Sequence, residues 1–122
     1  MEKNYKSKLF KIKTFIFDVD GVLTDGKVIV TTEGEMYRAL DTKDGYAMKY
    51  AMIKGFKIAI ISGGTNEGIR NRFQALGVKD IYLGAHEKSA AYDELVNNYK
   101  LKPDEILYIG DDIPDLPLIN KV

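Results

Sequence analysis

The stretch that decides the fold runs from residue 12 to residue 25 and reads Ile-Lys-Thr-Phe-Ile-Phe-Asp-Val-Asp-Gly-Val-Leu-Thr-Asp. Its first half, residues 12–17, is short, apolar, β-branched and aromatic, which is typical of a buried strand. Its second half begins with the acids Asp18 and Asp20. The stretch therefore predicts a core strand that delivers two carboxylates at its end.

Three further apolar runs alternate with helical patterns along the rest of the chain. The predicted strands span residues 56–61, 81–83 and 106–109, and the predicted helices span residues 44–54, with Asp44 as N-cap, 67–76 and 88–99. Short continuous apolar strands separated by helices indicate a parallel sheet covered on both faces. With right-handed crossovers, the pattern predicts an α/β fold, a Rossmann-like three-layer αβα sandwich in one domain over residues 1–122.

A β-hairpin is predicted directly after the first strand. Residues 28–31 and 36–40 are β-like, and Gly34 lies in the turn between them. The exposed edges of such a hairpin invite pairing, so an oligomer contact is favoured over a surface flap. Four tyrosines recur at helical spacing and are expected in the core or at a subunit contact: Tyr46, Tyr50, Tyr92 and Tyr99.

Polar or charged residues follow each of the four predicted core strands. They are Asp18 and Asp20, then Ser62-Gly63-Gly64-Thr65, then residues 84–88 with Lys88, and finally Gly110-Asp111-Asp112 with Asp115 close behind. Because ligands of parallel α/β sheets bind at the carboxyl ends of the strands, these residues are expected to meet at one edge.

Three of these carboxylates, on Asp18, Asp20 and Asp111, would share a small space. Like charges packed so closely require a cation or protonation, and oxygen ligands without histidine or cysteine suit Mg²⁺. Asp112 or Asp115 is expected to support the metal or to orient Lys88, with an N-cap role as the alternative for Asp112.

The second and third strand ends predict a phosphate site. Ser62 and the amides of Gly63 and Gly64 precede a helix N-terminus and form a candidate cradle, to which Lys88 adds a positive charge. A cradle, a cation and a lysine around a carboxylate indicate phosphoryl transfer.

The predicted chemistry divides two roles between the first two acids. Asp18 attacks phosphorus and forms an aspartyl phosphate. Asp20, expected on the same side of an extended segment, protonates the leaving alcohol and then activates the water.

Composition sets limits on function. Lys plus Arg equals Asp plus Glu, so global attraction to nucleic acid or membrane is not indicated. The absence of cysteine excludes disulfides and thiolate chemistry, and is compatible with the cytoplasm, the expected location. Residues 1–13 hold five lysines and one glutamate, lack the apolar run of a signal peptide, and are expected to form a solvated leader.

The motifs resemble those of the haloacid dehalogenase-like phosphatases, in order: Asp18-x-Asp20, Ser62, Lys88 and Gly110-Asp111-Asp112-x-x-Asp115. The stretch 18–26, the hairpin after it and Asp44-Gly45 resemble more closely a capless branch, the 3-deoxy-D-manno-octulosonate 8-phosphate phosphatases. The resemblance covers about residues 10–120. It implies a magnesium-dependent enzyme of lipopolysaccharide synthesis and a homotetramer whose hairpins form a central barrel.

The same resemblance bears on the substrate. Gly64 favours an eight-carbon acid sugar, since the similar nine-carbon, sialic-acid-type 9-phosphate phosphatases tend to carry glutamate there. Arg72 matches a family arginine associated with acid-sugar recognition, although a solvated helix arginine is as good an interpretation, and Thr24 is a further candidate. Relatives usually continue for some tens of residues beyond Asp115, so the chain is expected to be short at its C-terminus.

Two other classes of function stay open. A receiver domain also combines acids, Mg²⁺, a hydroxyl and a lysine, but its phosphorylated aspartate normally follows the third strand and it has no need of Asp20. A non-catalytic binding or assembly module with the same fold is the other. Phosphate release would separate both from a phosphatase.

Overall fold

The computed structural model describes residues 10–110. Its elements are β1 Thr14–Phe17, β2 Ile29–Val30, β3 Met36–Tyr37, α1 Thr42–Ile53, β4 Lys57–Ile61, α2 Glu67–Leu76, β5 Asp80–Tyr82, α3 Lys88–Tyr99 and β6 Ile106–Ile109, with a 3₁₀ turn at Pro103–Glu105. Four strands form one parallel sheet in the order β5-β4-β1-β6, while β2 and β3 form a separate antiparallel hairpin. The predicted parallel α/β fold and the hairpin are confirmed.

Strand β4 shows why helices cover both faces of the sheet. Successive side chains of a strand point to opposite faces, and here both sets are apolar. Ile58 and Ile60 join a cluster with residues of α1 and α2, whereas Ala59 and Ile61 join a cluster with Leu95 and its neighbours on α3. The three layers therefore follow from the unbroken apolar run of the strand.

Helices α2 and α3 begin and end where the sequence predicts. The Asn66 side chain caps α2 by accepting a hydrogen bond from the Gly68 amide at 2.8 Å. Gly77 ends the helix in the left-handed conformation with φ of 103°, which a residue without a Cβ adopts freely. These local signals fix where the chain leaves β4 and where it returns to the sheet at β5.

Helix α1 departs from the prediction in its start and in its buried face. Its N-cap is Asp41, whose carboxylate accepts from the Lys43 amide at 2.7 Å, so the prediction of Asp44 was wrong. The buried residues are Gly45 and Met48. A Cβ at Gly45 would lie 3.1 Å from a Leu76 methyl group, so α1 and α2 approach closely at this glycine.

The tyrosines of α1 consequently lie on its outer face. Tyr46 is 75% exposed and Tyr50 is 55% exposed, so neither belongs to the core of this chain, and the subunit contact stays a prediction. Tyr92 is buried, as predicted. Tyr99 lies at the surface and so does not belong to the core. Its hydroxyl donates to the Asp80 carboxylate at 3.0 Å, and this hydrogen bond raises the pKa of Tyr99.

The hairpin is shorter than predicted and contacts the loop at the edge of the sheet. Gly34 turns it with φ of 87°, and most apolar side chains of its strands are exposed. The Asn66 side chain donates to the Met36 carbonyl at 3.1 Å and so joins β3 to the loop between β4 and α2. No helix within residues 10–110 has the length and apolar character that a bilayer crossing needs.

Candidate active site

Asp18 stands at the carboxyl end of β1, in the middle of the sheet. Its amide donates to the carbonyl of Ile109 at 3.0 Å, which continues the pairing of β1 with β6 by one residue. The carboxylate is buried, and its Oδ1 accepts from the Val19 amide at 2.8 Å. The sheet and this backbone bond together hold the carboxylate in one orientation.

Lys88 is the positive partner of this carboxylate. It is the first residue of α3, and its Nζ lies 3.2 Å from Oδ2 of Asp18. The side chains are only 4% and 6% exposed, respectively. A positive charge this close favours the ionised form of a buried carboxylate, which is the form that the predicted nucleophile would need.

The chain turns sharply after Asp18, which corrects one sequence expectation. The Val19 carbonyl accepts from the amides of Val22, Leu23 and Thr24 at 3.2, 2.8 and 3.1 Å, so residues 19–24 form a compact turn and not an extended segment. Asp20 nevertheless lines the same cleft as Asp18. The turn, and not strand alternation, brings the two carboxylates together.

The loop after β4 forms the wall opposite the acids. Ser62 is buried, its amide donates to the Tyr82 carbonyl at 2.8 Å, and its carbonyl accepts from the Ala85 amide at 2.9 Å. Its Oγ accepts from the Gly64 amide at 3.2 Å. A Cβ at Gly63 would meet no other atom within 4 Å, so its backbone faces open space. A ligand can reach the backbone here without a side chain in the way.

These residues enclose a cleft of about 220 Å³ at the sheet edge. It is lined by Asp18, Asp20, Ser62, Gly63, Gly64, Ala85, His86 and Lys88. The structure thus brings together every candidate catalytic and phosphate-binding residue of the first three strand ends. A lysine, a serine hydroxyl and an accessible glycine backbone around one space suit a tetrahedral oxyanion.

Arg38 belongs to the surroundings of this cleft and was missed by the sequence analysis. Its Nε lies 2.6 Å from Oδ1 of Asp20. Arg38 directly follows β3 in the chain, and it is not part of any of the sequence motifs described above. The sequence shows only that Arg38 is the one cationic residue of the predicted hairpin, residues 28–40, and this does not identify its partner.

The structure places two candidate substrate residues apart from the cleft. The Oγ1 of Thr24 accepts from the amides of Gly21 and Gly26 at 3.2 and 3.1 Å, so this side chain holds the turn together. Arg72 lies on α2 against Gly45 and lines a different, small cavity. The cleft lining includes neither residue, and their predicted roles in substrate recognition stay predictions.

A divalent metal site fits the described residues by donor type. Asp18 and Asp20 bring carboxylate oxygens to the cleft, the ligands that Mg²⁺ prefers. Within residues 10–110, no three His, Cys, Asp or Glu side chains form a group that could hold a metal ion. The further acids of the prediction, Asp111, Asp112 and Asp115, lie outside the described residues.

Comparison with known proteins identifies relatives, although no family model matches the chain. It is 34% identical over 116 residues to the 3-deoxy-D-manno-octulosonate 8-phosphate phosphatase KdsC of Escherichia coli. The alignment covers 95% of this chain and 62% of that protein, so the chain spans less than two thirds of the curated relative.

Solved structures also share the fold. A hydrolase of the HAD superfamily, subfamily III A, from Legionella pneumophila is 40% identical with a TM-score of 0.90, over 95% of this chain and 64% of that one. The Moraxella catarrhalis 3-deoxy-D-manno-octulosonate 8-phosphate phosphatase, in complex with magnesium, phosphate and KDO, is 33% identical with a TM-score of 0.88, over 94% and 66%.

A third is the cobalt-bound deoxy-D-mannose-octulosonate 8-phosphate phosphatase of Haemophilus influenzae. It is 37% identical with a TM-score of 0.87, and the match covers 93% of this chain and 67% of that one. The chain therefore belongs to the haloacid dehalogenase-like superfamily and resembles its 3-deoxy-D-manno-octulosonate 8-phosphate phosphatases.

Proposed function

We propose that the protein is a magnesium-dependent phosphomonoesterase that hydrolyses a sugar-acid phosphate, 3-deoxy-D-manno-octulosonate 8-phosphate. The buried pair of Asp18 and Lys88 carries the proposal, because it supplies an ionised nucleophile beside a positive charge within one cleft. The Moraxella catarrhalis relative, with magnesium, phosphate and KDO bound, supports the choice of metal and substrate class.

In the first step, a carboxylate oxygen of Asp18 attacks phosphorus and the bond from phosphorus to the ester oxygen breaks. Asp20 gives a proton to the departing sugar oxygen, and an aspartyl phosphate remains on Asp18. In the second step, water attacks phosphorus and gives a proton to Asp20, and the Asp18 carboxylate is restored as inorganic phosphate leaves. The half-exposed position of Asp20 at the cleft suits both transfers.

The phosphoryl oxygens would be held by three groups of the cleft. Lys88 would contribute its ammonium group. Ser62 would contribute its hydroxyl group and Gly63 its backbone amide, and both lie in the loop that leads to the N-terminus of α2. This arrangement would stabilise the negative charge on the transferring phosphoryl group. Binding and charge stabilisation are therefore assigned to Lys88 and to the loop after β4.

The metal would be held by Asp18, Asp20 and Asp111, with Asp112 and Asp115 supporting that set or Lys88. A bound Mg²⁺ neutralises charge on the phosphoryl oxygens and on the acids that surround them. The protein's own contribution is the placement of the first two carboxylates at one cleft.

Recognition of the sugar acid is assigned to Gly64, Thr24 and Arg72. Gly64 supports the eight-carbon substrate, since it lines the cleft and a Cβ there would lie 3.6 Å from the Ser62 hydroxyl. A larger residue at this position would narrow the space next to the phosphate site.

Phosphate release is the direct test. With Mg²⁺ present, 3-deoxy-D-manno-octulosonate 8-phosphate is expected to be hydrolysed with a kcat in the ordinary enzymatic range, roughly 1–10³ s⁻¹. Chelation of the metal is expected to abolish the reaction and added Mg²⁺ to restore it, because the crowded carboxylates need the cation. Rates of phosphate release from nine-carbon sialic-acid-type 9-phosphates and from simple hexose phosphates, measured under the same conditions, would show the substrate specificity.

Each outcome of this assay distinguishes between the proposed function and an alternative. Preference for the nine-carbon ester would replace the proposed substrate and keep the chemistry. Retention of the phosphoryl group on the protein would point to a receiver-type module. Absence of release from every ester at micromolar enzyme would refute the phosphatase and favour a non-catalytic role.

We also propose that the protein forms a homotetramer through its hairpin and acts in the cytoplasm. Ile29 and Val30 are 70% and 62% exposed, and apolar side chains so exposed on a strand are suited to contact another copy. Ile29→Asp is therefore expected to shift the protein from tetramer to smaller species in light scattering coupled to gel filtration. The exposed Lys27→Asp serves as the control, and a tetramer in Ile29→Asp would contradict the assignment.

A further inference from the structure

Arg38 is an unusual residue for its place in the chain. The apolar side chains just before it on β3 are largely exposed, Met36 at 46% and Tyr37 at 52%. The side chain of Arg38 is only 10% exposed. It therefore turns away from the open surface of the hairpin and towards the sheet edge, where a buried guanidinium requires a partner.

That partner is Asp20. The Nε of Arg38 donates to Oδ1 of Asp20 across 2.6 Å, and the two residues are 18 positions apart in the sequence. Asp20 is the more exposed of the two, with 45% of its side chain accessible. The carboxylate thus sits at the mouth of the cleft, and Arg38 holds it from the side that faces away from solvent.

The loop after β4 also helps to define the position of the Arg38 guanidinium. A Cβ placed on Gly64 would come within 3.8 Å of Nη2 of Arg38, so the guanidinium lies over that glycine. The hairpin is joined to the same loop by the bond from Asn66 to the Met36 carbonyl. Arg38 therefore connects three parts of the site: the hairpin, the turn that carries Asp20, and the loop that carries the phosphate cradle.

We propose that Arg38 is the positioning residue for Asp20, fixing its carboxylate where it can reach the leaving oxygen. The proposal rests on the proposed phosphatase function. An acid that must meet one oxygen of the substrate gains from a restricted rotamer, because proton transfer requires the donor within hydrogen-bond reach. Since Arg38 is carried by the hairpin, the alignment of Asp20 depends on the hairpin being seated against the loop.

The test compares two esters that differ in their need for an acid. The sugar released from the sugar-acid phosphate would depart as an unstable alkoxide and so needs a proton, whereas p-nitrophenyl phosphate releases a stable p-nitrophenolate and does not. The value of kcat/KM reports the steps through departure of the leaving group. Arg38→Met is expected to lower kcat/KM by about 30-fold for the sugar ester, less than the roughly 10²–10⁴-fold that general acid catalysis contributes because Asp20 itself remains, and by less than about 3-fold for the aryl ester.

Two variants separate positioning from mere structure. Arg38→Lys keeps a cation and is expected to recover part of the loss, though not all, since an ammonium cannot reproduce the Nε geometry. In the Asp20→Asn background, Arg38→Met is expected to cause no further loss, because the two residues then act as one unit. Lys43→Met, an exposed cation on α1, should match the wild type.

Equal losses on the two esters in Arg38→Met, or additive losses in the double variant, would overturn the positioning role while the phosphatase function stands. A wild-type protein inactive on both esters would overturn the function itself and this inference with it. If Arg38→Met fails to fold by circular dichroism, the same comparison on Arg38→Lys and Arg38→Gln decides the question.

Discussion

Replacement of Asp18 by asparagine is expected to lower kcat for phosphate release by about 10⁴-fold or more, the scale on which removal of a covalent nucleophile acts. The amide oxygen of asparagine is a weak nucleophile and cannot form the aspartyl phosphate. The asparagine side chain has almost the same shape as the aspartate side chain. Its amide oxygen can still accept the hydrogen bond from the Val19 amide, which is 2.8 Å long in the wild type. The loss would therefore come from chemistry at one oxygen.

The measurement is single-turnover phosphate release together with acid quenching, which should trap a covalent phosphate on the wild type and none on Asp18→Asn. Asp25→Asn is the matched control, since Asp25 follows the same turn, is exposed, and accepts from the Lys27 amide at 2.9 Å. That control should retain wild-type activity. Activity of Asp18→Asn within tenfold of the wild type would refute the nucleophile.

The sheet edge could be predicted because the signals for it are local. Each core strand is a short apolar run, and each run ends at a polar residue such as Asp18 or Ser62. Parallel topology then brings those ends together without any knowledge of side-chain contacts. Lys88 follows from the same rule, since it opens the helix that leaves the third of these strand ends.

What could not be predicted depends on contacts between distant segments. The pair of Arg38 and Asp20 exists only because the hairpin folds back on the turn. The buried face of α1 is decided by the close approach of Gly45 to Leu76, and a pattern of apolar residues favours the larger tyrosines instead. These outcomes reflect packing geometry, which composition and periodicity do not contain.

The start of α1 was missed for a different reason. Asp41 and Asp44 stand one helical turn apart, and either can cap a helix by the same hydrogen bond. In the structure the N-cap is Asp41, whose side chain accepts a hydrogen bond from the Lys43 amide. Asp44 lies in the first turn of the helix, where its negative charge interacts favourably with the helix dipole. Two equivalent local signals cannot be ranked without the packing of the helix that follows.

Replacement of Lys88 by methionine is expected to reduce both activity and stability. The fall in kcat/KM should be about 10²–10³-fold, the scale on which one preorganised donor to a developing anion acts. The free energy of unfolding, measured by urea titration without metal, should fall by about 3 kcal/mol, because a buried ion pair that loses one partner leaves an uncompensated charge. Both side chains of the pair are almost fully buried, so solvent does little to screen that charge.

The double variant Asp18→Asn with Lys88→Met distinguishes the loss of the pair from a general packing defect. It removes both charges, so it is expected to recover part of the stability that Lys88→Met loses, while its activity stays as low as that of Asp18→Asn. Lys49→Met, at an exposed position of α1, should change stability by no more than about 0.5 kcal/mol. Additive destabilisation in the double variant would mean that Lys88 supports the fold independently of Asp18. The recovery expected here requires instead that removing the charge of Asp18 relieves part of the cost of burying it without the ammonium of Lys88.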